Sequence, residues 1–428
     1  MIIELNELQS RAIRIIASKE HKFFALIGGG GTGKTTTISQ LPKHWRVAYT
    51  APTNKAVSVL ASSDKIPTEH CFTIYSLLGL TVNESSGAVT VDKKGRCKAG
   101  DYDVIVIDEA SMLNDDMVSR IESVAYSNFS LMVIFMGDSY QLPPVGQDKS
   151  TAFSMADCTI ELIEQMRQSD NDHPMRPMLD DLRMAVDSGA VIDFAKYAKQ
   201  STNDNDEKIG VVVTRNAGQF ESWAKKTANL ENGVVVVAYK NSVVDRYNNI
   251  IHLHNYQESK DRFSVDETVI VQSPVKLPAF CGSLPVGGMG GIVYRIGDEL
   301  IVDSIEKSSE TIKLGDESIT FETLIINDER IRCLSHPAKF KNWWDARARM
   351  VHHEKTKYGW GQLYGIRDMF ADVKLGYAIT AHKSQGSTYN NVFVDVRDIM
   401  TMRDDQKIIN KCLYVALSRA KLNAVILL

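Results

Sequence analysis

No cysteine of this 428-residue chain stands in a C-x-x-C pair, and none of the six, at 71, 97, 158, 281, 333 and 412, has a histidine at zinc-ligand spacing. That speaks against a disulfide framework and a zinc knuckle; so few scattered thiols in a long chain suit a reducing compartment. No apolar run approaches about 18 residues, the length a membrane-spanning helix needs. Met1 to Glu7 carry no basic stretch followed by an apolar one, so no secretory signal is expected and the cytoplasm is the expected address. A basic excess is missing too. The formal charge is −4, so any nucleic-acid groove has to be built locally. Internal repeats and low-complexity tracts are absent.

What is present is an ordinary globular composition, 44% hydrophobic and 24% charged, over a length that suggests two to four domains. Residues 5–19 place Leu5, Leu8, Ala12, Ile15 and Ile16 on one side of a helix. Apolar runs follow at 23–27, 46–50, 104–107 and 131–136, separated by helix-prone segments such as 55–61. Runs without polar alternation, spaced by helices, indicate a parallel sheet covered on both faces. The stretch 79–100 breaks the rhythm. Leu80-Thr81-Val82 and Val89-Thr90-Val91 flank a turn-like Ser85-Ser86-Gly87, which reads as an inserted hairpin or as a plain surface loop. Val234 to Ala238 is another buried-strand signal. From Val269 to Glu322 the texture turns β-rich, with Gly-Gly-Met-Gly-Gly at 287–291, and Phe340 to Tyr364 is rich in Trp, His and Lys. Trp343-Trp344 there reads as an anchor of a local core or as a stacking platform. α/β texture returns from Tyr377, with strands expected at 391–396 and 424–428.

Gly28-Gly29-Gly30-Gly31-Thr32-Gly33-Lys34-Thr35 fits G-x-x-x-x-G-K-[ST] between a strand and a helix. Glycines let backbone N–H groups close around phosphate oxygens, and the start of the helix favours an anion. Gly28, Gly30, Gly31, Thr32, Gly33, Lys34, Thr35 and Thr36 are therefore the expected phosphate site. Lys34 would bridge the β- and γ-phosphates of ATP, and the Thr35 hydroxyl would hold Mg²⁺. Val104-Ile105-Val106-Ile107 then runs into Asp108-Glu109 at the strand's C-terminal end, where ligands sit in such sheets. Asp108 is expected in the metal shell and Glu109 as the general base that polarises water. Gln9 has two readings: its amide reads the adenine edge, or Asn6-x-x-Gln9 is a capping box.

The chain resembles superfamily 1 helicases of the RecD-like branch, above all the short bacteriophage Dda-type DNA helicases. Thr50-Ala51-Pro52-Thr53-Asn54-Lys55-Ala56 resembles motif Ia, and Thr73-Ile74-Tyr75-Ser76-Leu77-Leu78 resembles motif Ib. Gly137-Asp138-Ser139-Tyr140-Gln141-Leu142-Pro143-Pro144-Val145 resembles motif III, which implies that Gln141 senses the γ-phosphate. Glu164-Gln165-Met166-Arg167 resembles motif IV, implying that Arg167 reaches the phosphates. Thr380 to Thr388 resembles motif V, which includes Gly386, and Leu413 to Ala420 resembles motif VI, with Arg419 as arginine finger. Tyr239 to Asn248 is also similar to a segment of that branch.

The implied fold is α/β. It has two RecA-like P-loop NTPase domains with parallel sheets, a β-hairpin pin in the first and an SH3-like β-rich insertion in the second. The corresponding boundaries are 1–170, with the pin at 79–100, then 171–265 with 376–428, and the insertion at 266–375. The implied activity is ATP hydrolysis coupled to 5′–3′ movement on single-stranded DNA and duplex unwinding, in replication or recombination. The implied partners are single strands, junctions of single and double strands, and single-strand-binding or replication proteins. The implied state is a monomer without a membrane, in the host cytoplasm if the chain is of phage origin. Backbone grip is expected from Pro52, Thr53, Asn54, Lys55, Thr73, Tyr75, Thr380, His382, Lys383 and Thr388, although Thr53 and Thr380 also read as helix caps. Two features depart from the pattern: the hairpin has no aromatic residue except Tyr102 beyond it, and Tyr75 stands where a histidine is usual. A translocase that strips bound proteins, an RNA helicase and a non-enzymatic subunit with a vestigial ATP site are the alternatives.

One expectation needs no resemblance. Lys34 and Asp108-Glu109 lie in the first half of the chain and Arg419 near its end. Arg419 serves a γ-phosphate only if a second domain closes over the nucleotide.

Overall fold

The computed structural model describes residues 5–428 apart from 83–88, 93–94, 145, 148, 165–172, 204, 258–260, 277–278, 282–283, 287–291, 315–316, 355–356 and 404. Contacts divide the chain into two units, Met1–Phe220 with Val237–Lys240 and Thr380–Leu428, and Glu221–Val236 with Asn241–Ile379.

The first unit opens with α1 (Glu7–Ser18), started by Asn6 and closed by Lys19 in the left-handed region. Its first sheet contains β1 (Phe23–Gly28), β2 (Val47–Ala51), β3 (Cys71–Thr73), β4 (Val104–Ile107), β5 (Met132–Gly137) and β6 (Cys158–Leu162), in the order β3-β2-β4-β5-β1-β6. Every neighbouring pair is parallel. The apolar runs form these strands because both faces are covered. Phe24, Leu26, Val106 and Ile134 pack on one side with Ile16, Ile38 and Leu60, and Phe23, Ile105, Ile107 and Phe135 pack on the other with Leu77, Met117 and Ile121. Each fully buried side chain of this size contributes about 1.5–3 kcal/mol. Because the strands all run parallel, the turns after β1, β2, β4 and β5 open on one edge of the sheet, where the site is built.

Leu80–Val82 and Val89–Val91 pair antiparallel in register Leu80↔Val91, so the break at 79–100 contains a hairpin; its turn, 83–88, lies outside the described residues. Tyr102 belongs to the core and not to the hairpin, with its ring edge-on to His70 at 5.8 Å and to Phe72 at 6.1 Å.

Within the same unit a second sheet joins β7 (Lys199–Thr202), β8 (Lys208–Thr214), β9 (Tyr389–Asp395) and β10 (Ala420–Leu427) in the order β9-β10-β8-β7. β9, β10 and β8 are parallel and β7 is an antiparallel edge. Thus two α/β sheets stand where two RecA-like sheets were expected. The helix Arg176–Ser188 is tied to the helix Gln406–Leu417 by buried Asn410, whose amide donates to the Ala185 and Ala190 carbonyls, both at 2.8 Å.

The second unit is β-rich. Thr268–Val271 pairs antiparallel with Glu299–Ile301 and Val373–Leu375, and Ser304–Leu314, Glu317–Ile326 and Glu329–Leu334 form an antiparallel meander. Their shared core contains Phe263, Val269, Leu324, Ile326 and Val373. The Trp-rich segment is more helical than expected, as Pro337–Glu354 and Lys357–Arg367. Trp343 stacks on buried Phe340 at 5.6 Å and Trp344 leans on Tyr364 at 6.1 Å, which supports the core-anchor reading of that pair.

A buried polar cluster holds the helix Asn241–Asn255 in this unit. Glu267 takes hydrogen bonds from the Tyr377 hydroxyl at 2.8 Å and the Ser264 N–H at 2.7 Å, and pairs with His252 Nδ1 at 2.7 Å. His252 Nε2 lies 3.2 Å from the Asp261 carbonyl, so both ring nitrogens face acceptors and the charged ring fits. The hydrogen bond with Glu267 raises the His252 pKa above its ordinary value, against the opposing effect of burial. A raised folded-state pKa stabilises the fold below the unfolded value of about 6.5 and loses that contribution as pH rises through the folded value. Urea unfolding should therefore show the wild type losing more stability between pH 6 and pH 9 than His252→Gln does. Equal losses would discard the charged-histidine assignment.

Candidate nucleotide site and strand-contact residues

The loop after β1 is shaped by close approaches. A Cβ on Gly28 would lie 2.7 Å from both the Leu162 carbonyl and the Thr32 hydroxyl, and Gly31 and Gly33 have φ of 86° and 82°, which glycine adopts without strain. Gly33 leads into α2 (Lys34–Ile38). The Lys34 ammonium donates to the carbonyls of Gly28 at 2.7 Å and Gly29 at 3.0 Å, and the Thr32 hydroxyl donates to Gly29 at 2.9 Å.

Gly28, Thr32 and Gln9 lie beneath this loop and do not line its cavity. Gln9 is 1% exposed. Its amide oxygen accepts from the Asn6 N–H at 3.0 Å, its N–H donates to Asn6 Oδ1 at 2.8 Å, and its amide nitrogen donates to the Thr32 carbonyl at 3.3 Å. The capping box is thus formed, and Gln9 braces the phosphate loop against α1. The amide oxygen and nitrogen each make one of the two hydrogen bonds open to them there, so the capping role and the adenine reading use different lone pairs and N–H groups.

A cavity of about 280 Å³ opens above the loop. Gly30, Gly31, Gly33, Lys34, Thr35 and Thr36 form its floor, and Ala56 and Val59 of α3 (Asn54–Ala61) one flank. Asp108 and Glu109 enter from the end of β4, and Gln141 from the loop after β5. Gly386, Thr388 and Arg419 complete it from the C-terminal part of the chain. Lys34 and Arg419 therefore line one cavity. The Arg419 guanidinium is 6% exposed and aimed by its own segment, donating to the Val415 carbonyl at 3.2 Å, the Ser387 carbonyl at 3.3 Å and the Ser418 hydroxyl at 3.1 Å. Thr388, expected on the strand-gripping face, is among the residues that line this cavity. Arg167 lies outside the described residues.

The acidic pair is electrostatically loaded. Glu109 has φ of 52°, a left-handed conformation costing a non-glycine residue about 1–2 kcal/mol, and its N–H donates to Asp108 Oδ1 at 2.9 Å. Burial pushes the Glu109 carboxyl up to about 7, nearby Asp108 adds to the rise, and Arg419 and Lys34 pull against it. Burial also raises Asp108, opposed by Lys34. A carboxyl poised near neutrality is matched to proton abstraction. Glu109 Oε2, Gln141 Oε1 and the Ser387 hydroxyl are buried without hydrogen-bond partners. Such groups are costly unless something polar meets them. Thr35 and Asp108 offer only oxygens, the donor type a hard divalent cation takes.

The expected strand-contact residues fall at two helix starts and one short turn. Thr53, after Pro52 at the end of β2, caps α3 by accepting from the Ala56 N–H at 3.2 Å, with Asn54 and Lys55 in its first turn. Lys55 extends over the Tyr389 ring at 5.8 Å, which brings this turn beside the start of β9. Thr380 caps Ala381–Ser384, accepting from the Lys383 N–H at 3.3 Å, and His382 lies 6.3 Å from the Tyr239 ring. The two threonines thus act as caps. Thr73 caps Ile74–Leu77 in the same way, and Tyr75 packs half-buried against the core.

A phosphate loop after an interior parallel strand, an Asp-Glu pair after another strand of the same sheet and an arginine just before a strand of a second α/β sheet define a P-loop nucleoside triphosphatase of the two-sheet RecA-like class. Residues 4–202 match the family model of an AAA domain, and residues 375–427 that of a UvrD-like helicase C-terminal domain. The chain is 26% identical to an uncharacterised protein, R530, of Acanthamoeba polyphaga mimivirus, covering 96% of each. It is 24% identical to the ATP-dependent DNA helicase dda of Enterobacteria phage T4, covering 98% of each. Among solved structures, a Bacteroides Pif1 helicase in complex with ADP-AlF3 and ssDNA shares the fold with a TM-score of 0.53 at 18% identity, over 99% of this chain and 92% of that one. The chain belongs to the superfamily 1 helicases, related to Dda and the RecD-like proteins.

Proposed function

We propose that this chain hydrolyses ATP to move 5′ to 3′ along single-stranded DNA and to separate the duplex it meets. The observation that carries this reading is the shared cavity: Lys34 and Arg419 belong to different α/β sheets and line one nucleotide-sized space. In the cycle, the Lys34 ammonium exchanges its loop carbonyls for β- and γ-phosphate oxygens. Glu109 takes the proton of a water that attacks the γ-phosphorus, and the bond to the β–γ bridging oxygen breaks. Gln141 and Arg419 face the transferred group and stabilise its charge. Thr35 and Asp108 would hold Mg²⁺, which neutralises phosphate charge when bound. Loss of the γ-phosphate removes what Gln141 and Arg419 share, so the two sheets part and close once per turnover. The turns at Thr53 to Lys55 and Thr380 to Lys383 each offer helix-start N–H groups and cations to a strand's phosphates, so alternate grip converts closure into a step. The hairpin at 80–91 is the element for splitting a junction.

The test is strand separation of duplexes with 5′ or 3′ tails, of DNA or RNA, together with strand-stimulated ATP hydrolysis. Unwinding is expected only with a 5′ DNA tail, and replacing residues 82–89 by two glycines should reduce unwinding at least tenfold while sparing the stimulated hydrolysis. Stimulated hydrolysis without unwinding of any substrate would leave a translocase, and unwinding only with RNA tails would move the track. No stimulation by either strand would end the motor reading.

A further inference from the structure

Asp138 follows β5 and is 1% exposed, an expensive place for a carboxylate. One carboxylate oxygen, Oδ1, accepts from the Tyr140 N–H of its own loop at 3.0 Å; the partners of the other, Oδ2, come from the other sheet's helices. The Tyr414 hydroxyl, itself buried, donates to Asp138 Oδ2 at 2.7 Å and accepts from Arg183 Nε at 3.1 Å, while Arg183 Nη2 stands 3.8 Å from the same carboxylate oxygen. The Arg183 guanidinium also lies over the rings of Tyr140 at 5.5 Å and Tyr414 at 5.4 Å. Arg183 and Tyr414 sit on the two helices that Asn410 locks together, so they move as one body. Two weaker ties run alongside, Gln385 Nε2 to the Leu142 carbonyl at 3.3 Å and Lys411 Nζ to the Ser139 carbonyl at 3.4 Å.

We propose that Tyr414, Asp138 and Arg183 form a latch that stabilises the closed arrangement and so positions Gln141 and Arg419 on one γ-phosphate. The connection is short at both ends. The Gln141 N–H donates to the Asp138 carbonyl at 3.1 Å, so the turn carrying Gln141 is fixed to the latch acceptor. Tyr414 lies in the last turns of the helix that runs into Arg419. When the sheets part, Asp138 regains water and Tyr414 loses its acceptor. When they close, the hydroxyl and guanidinium replace that water. The latch adds to whatever a nucleotide gains by touching both Gln141 and Arg419. A nucleotide lacking the γ-phosphate touches neither and gains nothing, because a ligand shifts such an equilibrium only by its differential affinity for the two states.

This inference rests on the nucleotide-bridging reading but not on DNA. The experiment uses the full chain without nucleic acid and compares binding of a non-hydrolysable ATP analogue with binding of ADP, each with Mg²⁺. Tyr414→Phe keeps the ring and removes only the hydroxyl. The analogue's affinity should fall about tenfold, the scale of one charge-assisted hydrogen bond, with ADP affinity within twofold of wild type. Asp138→Asn keeps an acceptor and should lose about threefold, and the double variant should bind the analogue no more weakly than Tyr414→Phe alone. Unchanged binding of both nucleotides, equal loss of both, or losses that multiply in the double variant would each overturn the latch. Failure of the motor reading registers separately, as wild-type hydrolysis that DNA does not stimulate.

Discussion

Lys34→Ala should lower the turnover of ATP hydrolysis by at least 10²–10³-fold, the scale of removing one preorganised charge from a reacting phosphoryl group. In the structure the ammonium bridges the Gly28 and Gly29 carbonyls of its own loop, a local arrangement on a half-buried side chain. Two half-buried hydrogen bonds to carbonyls of its own loop contribute little to global stability, so the melting temperature should move by no more than a few degrees. The loss is therefore one of charge at the phosphates and not of fold. Lys34→Arg is the informative companion. It preserves charge, but its planar fork does not fit between two carbonyls spaced for an ammonium, so it should restore less than a tenth of the lost rate. Steady-state phosphate release with saturating MgATP measures both variants. A Lys34→Ala protein hydrolysing within tenfold of wild type would remove the glycine-rich loop from the chemistry.

The contrast between Lys34 and the residues that sequence placed less well has a physical cause. The phosphate loop and Asp108-Glu109 are written locally: a buried strand, then a turn whose glycines or carboxylates follow at once, and the turn's direction is set by the parallel sheet. The apolar runs at 23–27, 104–107 and 131–136 became β1, β4 and β5 because nothing but a doubly covered strand accommodates them. Gln9 carried two local readings; the structure forms the capping box and adds a tie to the Thr32 carbonyl that no local pattern announces. Thr388 lines the cavity beside Gly386, a placement that no spacing rule reports. The Asp138–Tyr414 pair joins residues far apart in the chain and became visible only when two sheets were placed side by side. The segment 340–364 was legible as unusual and illegible in detail, since Trp, His and Lys suit a helix as well as a loop; aromatic stacking on Phe340 and Tyr364 settled it as helix.

Arg419→Ala should cost about 10³–10⁵-fold in turnover, the range for an arginine that stabilises phosphoryl-transfer charge, and more than Lys34→Ala at saturating ATP. The side chain is prepared for that role before any nucleotide arrives. Its three hydrogen bonds go to Val415, Ser387 and Ser418, all in the helix and loops that flank the second sheet, and none goes to the phosphate loop or the acidic pair. The guanidinium is thus held rigid on one wall, with its charge felt at Glu109 on the other. Removing it affects the transition state most, because charge on the transferred group is greatest there. ADP, which ends short of that wall, should bind within threefold of wild type. Deleting a buried guanidinium also removes the side-chain donor to the Ser387 carbonyl and leaves the Val415 carbonyl with the Ser418 hydroxyl, so a loss of stability must be separated from a loss of chemistry. Arg419→Lys provides the separation: the ammonium refills most of the space and keeps the charge, yet cannot satisfy three acceptors and still face a phosphate. Its melting temperature should return close to wild type while turnover stays at least 10²-fold down. If Arg419→Lys recovered both together, the arginine would be a structural pin, and closure of the second sheet over the nucleotide would need another residue to carry it.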